Sequence, residues 1–389
     1  MPPRIAQRLR ALPSYLFREI ERRRQAAEAA GRDVIDFGVG DPDRPTPAFI
    51  LDAMSRALRD PACQGYPPDT GTPGFRSAAA AFFHRRYGLE LDPQRELIAL
   101  IGTKEGLAHL PLALVDPGQT VLVPDPAYPV YRAATVLAGG TPWPMPLREN
   151  NQWLPVLDAI PPDVARSAAL MFLNYPNNPT GAVASLEFYE RVVHFARRFG
   201  LVVAQDAAYN ELYLTADPPP SLLQVPGARD VAVEFHSLSK TFNMSGWRIG
   251  LAVGNAAVIE ALARVKSNID SGVFKAIQEA GRAAYEGYGR PEIEQARSLY
   301  RERSEVLCAG LRACGFRVSP AQATFYVWAA VPDGYDDVQV ACRLLDEAGI
   351  VCIPGSGFGS AGAGYVRFAL TVDVDRIRTA ITRLSRLSW

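Results

Sequence analysis

A rhythm of short apolar runs separated by helix-like segments constrains this chain more than any other feature. Runs at 97–101, 120–123, 168–173, 201–204, 231–235 and 249–253 are almost unbroken, with a weaker one at 143–147. Helical stretches lie between them, notably at 104–115, 127–137, 186–199 and 256–266. A strand with one wet face alternates apolar and polar side chains, whereas a strand buried on both faces reads as a continuous apolar run. The pattern therefore predicts an α/β fold with a mostly parallel seven-stranded sheet sandwiched by helices. Ligands of such sheets gather beyond the carboxyl ends of the strands. The polar residues that follow each run are the ones to read for chemistry.

After the run 231–235 comes His236-Ser237-Leu238-Ser239-Lys240, and Arg248 precedes the run 249–253. Two hydroxyls and a guanidinium suit a phosphate, because the planar fork of arginine binds its oxygens in pairs. Lys240 adds something else. An amine held among cations, or desolvated, loses its proton readily and can form a Schiff base with an aldehyde. Of 41 Lys plus Arg residues, only Lys104, Lys240, Lys266 and Lys275 are lysines. Where positive charge alone is needed this chain uses arginine, so a retained lysine points to amine chemistry. A phosphate cradle beside such an amine points to pyridoxal phosphate (PLP), a phosphorylated aldehyde.

The other strand ends supply partners. The run 201–204 leads into Gln205-Asp206-Ala207-Ala208-Tyr209. A carboxylate there can keep a pyridine nitrogen protonated, which makes the ring an electron sink, and Tyr209 can donate to the ring's phenolic oxygen. The run 168–173 leads to Asn174-Tyr175-Pro176-Asn177-Asn178, and the amide of Asn178 can bond both ring and substrate oxygens. Gly102-Thr103-Lys104 opens a helix whose free amides suit a phosphate. Tyr128 offers a stacking face, and Gly38-Val39-Gly40 lets backbone approach a ligand closely. Arg367 sits inside a late strand, where a guanidinium needs an anionic partner such as a substrate carboxylate. Each has an ordinary explanation alone: a solvated loop, an N-cap at Asp206 or Thr103, a turn tyrosine, a structural salt bridge. Their conjunction at the strand ends of one sheet does not.

Asn177-Asn178-Pro179-Thr180-Gly181, Asp206-x-x-Tyr209, Ser237-x-Ser239-Lys240 with Arg248, and Tyr365-Val366-Arg367-Phe368 form a specific set. Through them the chain resembles the class I/II aminotransferases of PLP fold type I over nearly its whole length. That resemblance implies that Lys240 carries PLP as a Schiff base and shuttles the substrate proton. It implies Asp206 on the pyridine nitrogen, Tyr209 and Asn178 at the phenolic oxygen, and Tyr128 stacked on the ring with a catalytic part. Gly102, Thr103, Lys104, Ser237, Ser239 and Arg248 would hold the phosphate. Arg367 and Asn178 would hold the substrate's α-carboxylate, with Gly40 contributing backbone. Tyr66 would reach the phosphate of a neighbouring subunit, which implies a homodimer with shared sites.

Leu12-Pro13-Ser14-Tyr15-Leu16-Phe17, Gly102-Thr103-Lys104-Glu105-Gly106, Tyr128-Pro129-Val130-Tyr131-Arg132 and Glu234-Phe235-His236-Ser237 are similar to bacterial LL-diaminopimelate aminotransferases. This implies Tyr15 as a substrate contact, 2-oxoglutarate/glutamate as co-substrate and a place in lysine biosynthesis. N-succinyldiaminopimelate, aspartate or alanine as substrate, and a carbon–sulfur β-lyase built on the same cofactor residues, stay open.

At 389 residues the chain has room for about two domains. The expected division is an N-terminal arm at 1–45 packing with the small domain, a large PLP-binding domain at 46–285, and a small α+β domain at 286–389. The 41 basic and 41 acidic side chains cancel, which removes the broad basic field that nucleic acid or an anionic membrane would need. No apolar run is long enough to span a bilayer. The five cysteines show no zinc spacing, so reduced thiols, a cytoplasmic location and no metal are expected.

Overall fold

The structure is a computed structural model describing residues 5–12 and 17–389. In chain order its strands are β1 (Ile35–Asp36), β2 (Leu97–Leu100), β3 (Thr120–Asp125), β4 (Thr141–Pro146), β5 (Ala168–Asn174), β6 (Val202–Asp206) and β7 (Ala232–Ser237). They continue with β8 (Gly250–Gly254), β9 (Arg317–Val318), β10 (Tyr326–Ala330), β11 (Ile350–Val351), β12 (Ile353–Pro354) and β13 (Tyr365–Ala369). The seven apolar runs became the seven strands of one sheet, in the order β2-β8-β7-β6-β5-β3-β4. All neighbours from β7 to β4 pair in parallel, and β8 runs antiparallel to both β7 and β2.

Successive side chains on each strand feed two separate cores. Leu97, Ala99, Leu122, Met171, Leu173, Val203, Leu251 and Val253 pack with the helices Pro73–Tyr87 and Leu186–Phe199 on one face. Ile98, Leu100, Val121, Val123, Leu170, Phe172, Ala204 and Ala252 pack with the helices Thr103–Leu114 and Ala256–Lys266 on the other. This is the two-residue period of a strand expressed within an unbroken apolar run. The strands also run further than the apolar runs do. Asp206 and Ser237 are the last residues of β6 and β7, not the first residues after them, because Asn174 pairs with Asp206 and Ser237 with Gly250.

The weak run at 143–147 is the edge strand β4, Thr141-Pro142-Trp143-Pro144-Met145-Pro146, paired only with β3. Thr141 and Leu147 donate their amides to Gln119 and Asp125 beside β3. The prolines occupy the opposite parity, so their missing N–H groups fall on the outer edge. That blunts an edge which would otherwise template another strand.

A further core forms around the four-stranded sheet β12-β13-β10-β9 and the helices Pro291–Ala313, Asp337–Ala348 and Val374–Leu384. The arm joins this core, since Ile35 and Phe37 are buried in it and β1 pairs in parallel with β11. Arg303, wholly buried on the helix Pro291–Ala313, clamps the arm with a two-pronged contact to Asp43 at 2.8 and 2.7 Å. It also donates to Leu370 O at 2.8 Å and to Asp373 at 3.1 Å. Asp43 is partly exposed, so water recovers some of its charge if the clamp is lost. Arg303→Ala should therefore cost about 2 kcal/mol in equilibrium denaturant unfolding, short of the ~3–5 kcal/mol for breaking a fully buried pair.

Candidate active site

The carboxyl ends of β2, β3, β5, β6 and β7 converge on a cavity of about 310 Å³. The sheet side supplies Thr103 and Lys104 after β2, Tyr128 after β3, Asn178 after β5, Asp206 and Tyr209 at β6, and Ser237, Ser239, Lys240 and Arg248 around β7. The arm supplies Gly40 and the smaller sheet supplies Arg367. Residues expected from widely spaced stretches thus meet in one place.

Lys240 lies in the short helix Leu238–Thr241, which Ser237 caps by accepting the Ser239 amide at 3.2 Å. Its Nζ donates to Gly40 O at 2.9 Å and lies 5.3 Å from the centre of the Phe325 ring. Burial lowers its pKa to about 8; Asp41 opposes this, while Arg248 and Arg367 add to it. About a tenth of this amine is neutral at pH 7, far more than for an ordinary lysine.

Asp206 is 5% exposed, and burial raises its carboxyl to about 6. Three favourable interactions oppose that rise: the Tyr131 hydroxyl, the Ala208 amide and the charge of His236. Tyr131 donates to Oδ2 at 2.7 Å and the Ala208 amide to Oδ1 at 3.2 Å. Tyr209, on the turn after β6, shares a 3.2 Å hydrogen bond with Tyr326, and burial keeps its phenol protonated.

Around Arg248 the backbone is shaped for an anion. Arg248 has φ 56°, in the left-handed region that only a well-determined loop imposes on a non-glycine residue. Its guanidinium packs against Gly102, which lies just outside the cavity lining with φ 73° and precedes the helix Thr103–Leu114. A Cβ at Gly102 would fall 2.3 Å from Arg248 Nη2, so any other residue there displaces the arginine. Arg248, the hydroxyls of Ser237 and Ser239 and the first amides of that helix form one donor set.

Arg367 on β13 is 5% exposed, donating to Asn178 Oδ1 at 2.9 Å and Gly38 O at 2.8 Å. Its guanidinium lies 4.2 Å from the Tyr326 ring centre and 4.7 Å from that of Phe358. Its Nε has no hydrogen-bond partner. A buried, unpaired donor on a cation is an invitation to an anion.

Among the described residues, Gly102 and Tyr66, both expected at the cofactor, are not part of the lining. Tyr66 is 86% exposed, and Tyr15 lies outside the described residues. Conversely, the strand ends did not reveal Tyr326 and Phe358, which reach the cavity from the smaller sheet and the loop before β13. The contact between Tyr131 and Asp206 was also unforeseen. Its only signal was a second tyrosine three positions after Tyr128, at the start of the helix Val130–Leu137 that Tyr128 precedes.

Residues 32–384 match the family Aminotransferase class I and II. The chain belongs to that family. This aminotransferase is 50% identical over 382 residues to the LL-diaminopimelate aminotransferase of Aquifex aeolicus, covering 98% of both chains. It is 52% identical over 384 residues to that of Syntrophobacter fumaroxidans, covering 99% of both. Among solved structures it matches apo-BacF of Bacillus subtilis with a TM-score of 0.95 at 36% identity, covering 100% of this chain and 99% of the other. A probable N-succinyldiaminopimelate aminotransferase from Thermus thermophilus matches with a TM-score of 0.91 at 37% identity, covering 95% and 99%. Aminotransferases of this family depend on PLP. The residues here fit that group, with an anion cradle, a low-pKa amine, a buried carboxylate and an arginine with an unused donor in one cavity.

The lowered basicity of Lys240 is directly measurable. In apoprotein reductively methylated with an isotope label, the Lys240 resonance should titrate with a midpoint of about 8. Lys275, which reaches Ala62 O at the surface, serves as the internal comparison.

Proposed function

We propose that this aminotransferase moves the amino group of LL-diaminopimelate to 2-oxoglutarate, with Lys240 as the group that carries the substrate proton. The observation behind this reading is that the Lys240 amine, the Asp206 carboxylate and Arg367 face one cavity. Bound PLP supplies an electron sink for the substrate's α-carbon. In this reading Lys240 Nζ, neutral in part because burial lowers its pKa, takes the α-proton and gives it up on the cofactor side rather than back to the α-carbon. Asp206 holds the proton on the pyridine nitrogen, and the Tyr209 hydroxyl with the Asn178 amide binds the phenolic oxygen. Ser237, Ser239, Arg248 and the backbone at 102–104 hold the phosphate, and Lys104 adds positive charge beside Tyr128, its Nζ 5.9 Å from the ring centre. Tyr128 covers one face of the ring and limits water there.

Arg367 binds the substrate's α-carboxylate through the part of its guanidinium that lines the cavity, and Asn178, whose Oδ1 already accepts from Arg367, presents its Nδ2 to the same group. Full-length similarity to proteins named LL-diaminopimelate aminotransferase supports the choice of donor. It also supports a role in lysine biosynthesis, which this reading places in the cytoplasm. No helix among the described residues is long and apolar enough to cross a membrane. The working division is an arm at 1–45, a large domain at 46–285 and a small domain at 286–389.

The active unit in this reading is a homodimer, and the near-complete exposure of Tyr66 in a single chain supports its reaching a neighbour's phosphate. Tyr66→Arg and Lys240→Ala should each be inactive alone. After subunit exchange they should regain activity, because in a mixed dimer one of the two sites carries neither lesion. No rescue despite demonstrated exchange would overturn the shared site.

A substrate panel tests the donor. LL-diaminopimelate with 2-oxoglutarate should give a higher kcat/KM than aspartate, alanine or N-succinyldiaminopimelate. An equal or higher value for any of these removes the assignment to LL-diaminopimelate. Release of pyruvate and ammonia without keto-acid acceptor would mark a lyase.

A further inference from the structure

The buried carboxylate at the end of β6 has a partner that the reaction itself does not name. Tyr131, on the helix Val130–Leu137, is fully buried and donates its hydroxyl to Asp206 Oδ2 at 2.7 Å. The ring is held rigidly: it stacks on Phe172 of β5, with centres 5.0 Å apart and planes 21° from parallel. It also meets the Tyr128 ring edge-on at 6.0 Å and 84°. The Thr135 hydroxyl donates to Tyr131 O at 2.8 Å, tying down the helix turn that carries it.

We propose that Tyr131 is a positioning residue for Asp206, fixing the carboxylate in its ionised form and in one orientation toward the cavity. The proposal rests on the reading that Asp206 pairs with the pyridine nitrogen of PLP. Each carboxylate oxygen has one fixed donor, Tyr131 on Oδ2 and the Ala208 amide on Oδ1. The carboxylate plane is therefore set from two sides before any ligand arrives, with lone pairs left over on both oxygens. The ionisable groups facing it are Tyr131 from the helix, Tyr209 from the following turn and His236 from β7, the last bonded to Glu234 at 2.8 Å. A hydrogen bond to the charged form favours that form against the cost of burial. Burial and the nearby Asp206 charge hold the Tyr131 phenol far above its ordinary pKa, so it remains a donor throughout the working range.

Packing alone does not account for the hydroxyl. Phenylalanine would fill the same space and stack on Phe172 equally well, but it would leave Oδ2 without its buried donor. Tyr131→Phe therefore isolates the role. Loss of a hydrogen bond to a charged group should raise the Asp206 pKa by about one unit or more.

The test is PLP affinity of the apoproteins, measured by fluorescence titration from acid to mildly alkaline pH, for wild type, Tyr131→Phe and Asp206→Asn. In wild type the Asp206-dependent part of the affinity should fall as pH drops through about 6. In Tyr131→Phe that midpoint should move up, giving a deficit of about tenfold or more at acid pH that closes as pH rises past the new midpoint. The titration of the PLP phosphate is common to both proteins and cancels in the ratio. The melting temperature of apo Tyr131→Phe, taken in parallel, identifies any general loss of structure. A Tyr131→Phe affinity equal to wild type at every pH, while Asp206→Asn binds weakly, overturns the proposal and leaves the reading of Asp206 standing. A deficit of constant size at all pH also overturns it, since that pattern belongs to packing. If Asp206→Asn binds as wild type does, the underlying reading of Asp206 fails and the role of Tyr131 fails with it.

Discussion

The parallel hydrogen-bond ladder through β5, β6 and β7 is the constraint on which the rest of this molecule depends. Its register sets Asn174 beside Asp206 and Asp206 beside Phe235, so that one level of the sheet carries groups that lie far apart in the chain. Because parallel strands begin and end together, their carboxyl ends form a shared rim. Every loop leaving that rim starts near the cavity. A slip of one residue in β6 would turn Asp206 toward the opposite face. The two apolar cores on either side of the sheet are what forbid such a slip, since it would exchange the side chains of both.

Within the rim the charges are unequal. Arg248, Arg367, Lys104 and Lys240 line a cavity whose lining includes one carboxylate, Asp206. Desolvation makes this imbalance costly for the empty protein. Burial and the neighbouring Arg248 and Arg367 lower the Lys240 pKa, whereas the raised pKa of Asp206 comes from its burial alone. Ligands carrying a phosphate and a carboxylate relieve the imbalance, so affinity and reactivity come from the same electrostatic source. The left-handed Arg248 and the side-chain-free Gly102 show how tightly one of those cations is placed.

Much of this was legible from the order of residues because the chemistry follows strands, and buried strands announce themselves by composition. The seven runs, the lysine after β7, the carboxylate at β6 and the arginine in the late strand could all be read along one dimension. The edge strand was faint because Pro142, Pro144 and Pro146 dilute its pattern, although their spacing is what makes them compatible with an edge. Tyr326 and Phe358 were hidden because they reach the cavity from the smaller sheet and its adjoining loop, and no local pattern reports how one sheet sits over another. The contact between Tyr131 and Asp206 joins residues 75 positions apart, and it exists only once β5 has brought Phe172 beneath the tyrosine ring.

The segment from Gly38 to Asp43 touches Arg367 through Gly38 O, Lys240 through Gly40 O and Arg303 through the Asp43 carboxylate. The strand preceding it pairs Ile35 with Ile350. A ribosome therefore makes this stretch well before Arg303, Ile350 and Arg367, by on the order of tens of seconds at ordinary elongation rates. Until the final third emerges, the arm has no strand to join and Asp43 has no Arg303. Arg367 and the strand that carries it complete the wall only after they emerge, so a nascent chain with its large sheet already formed still lacks that side of the site.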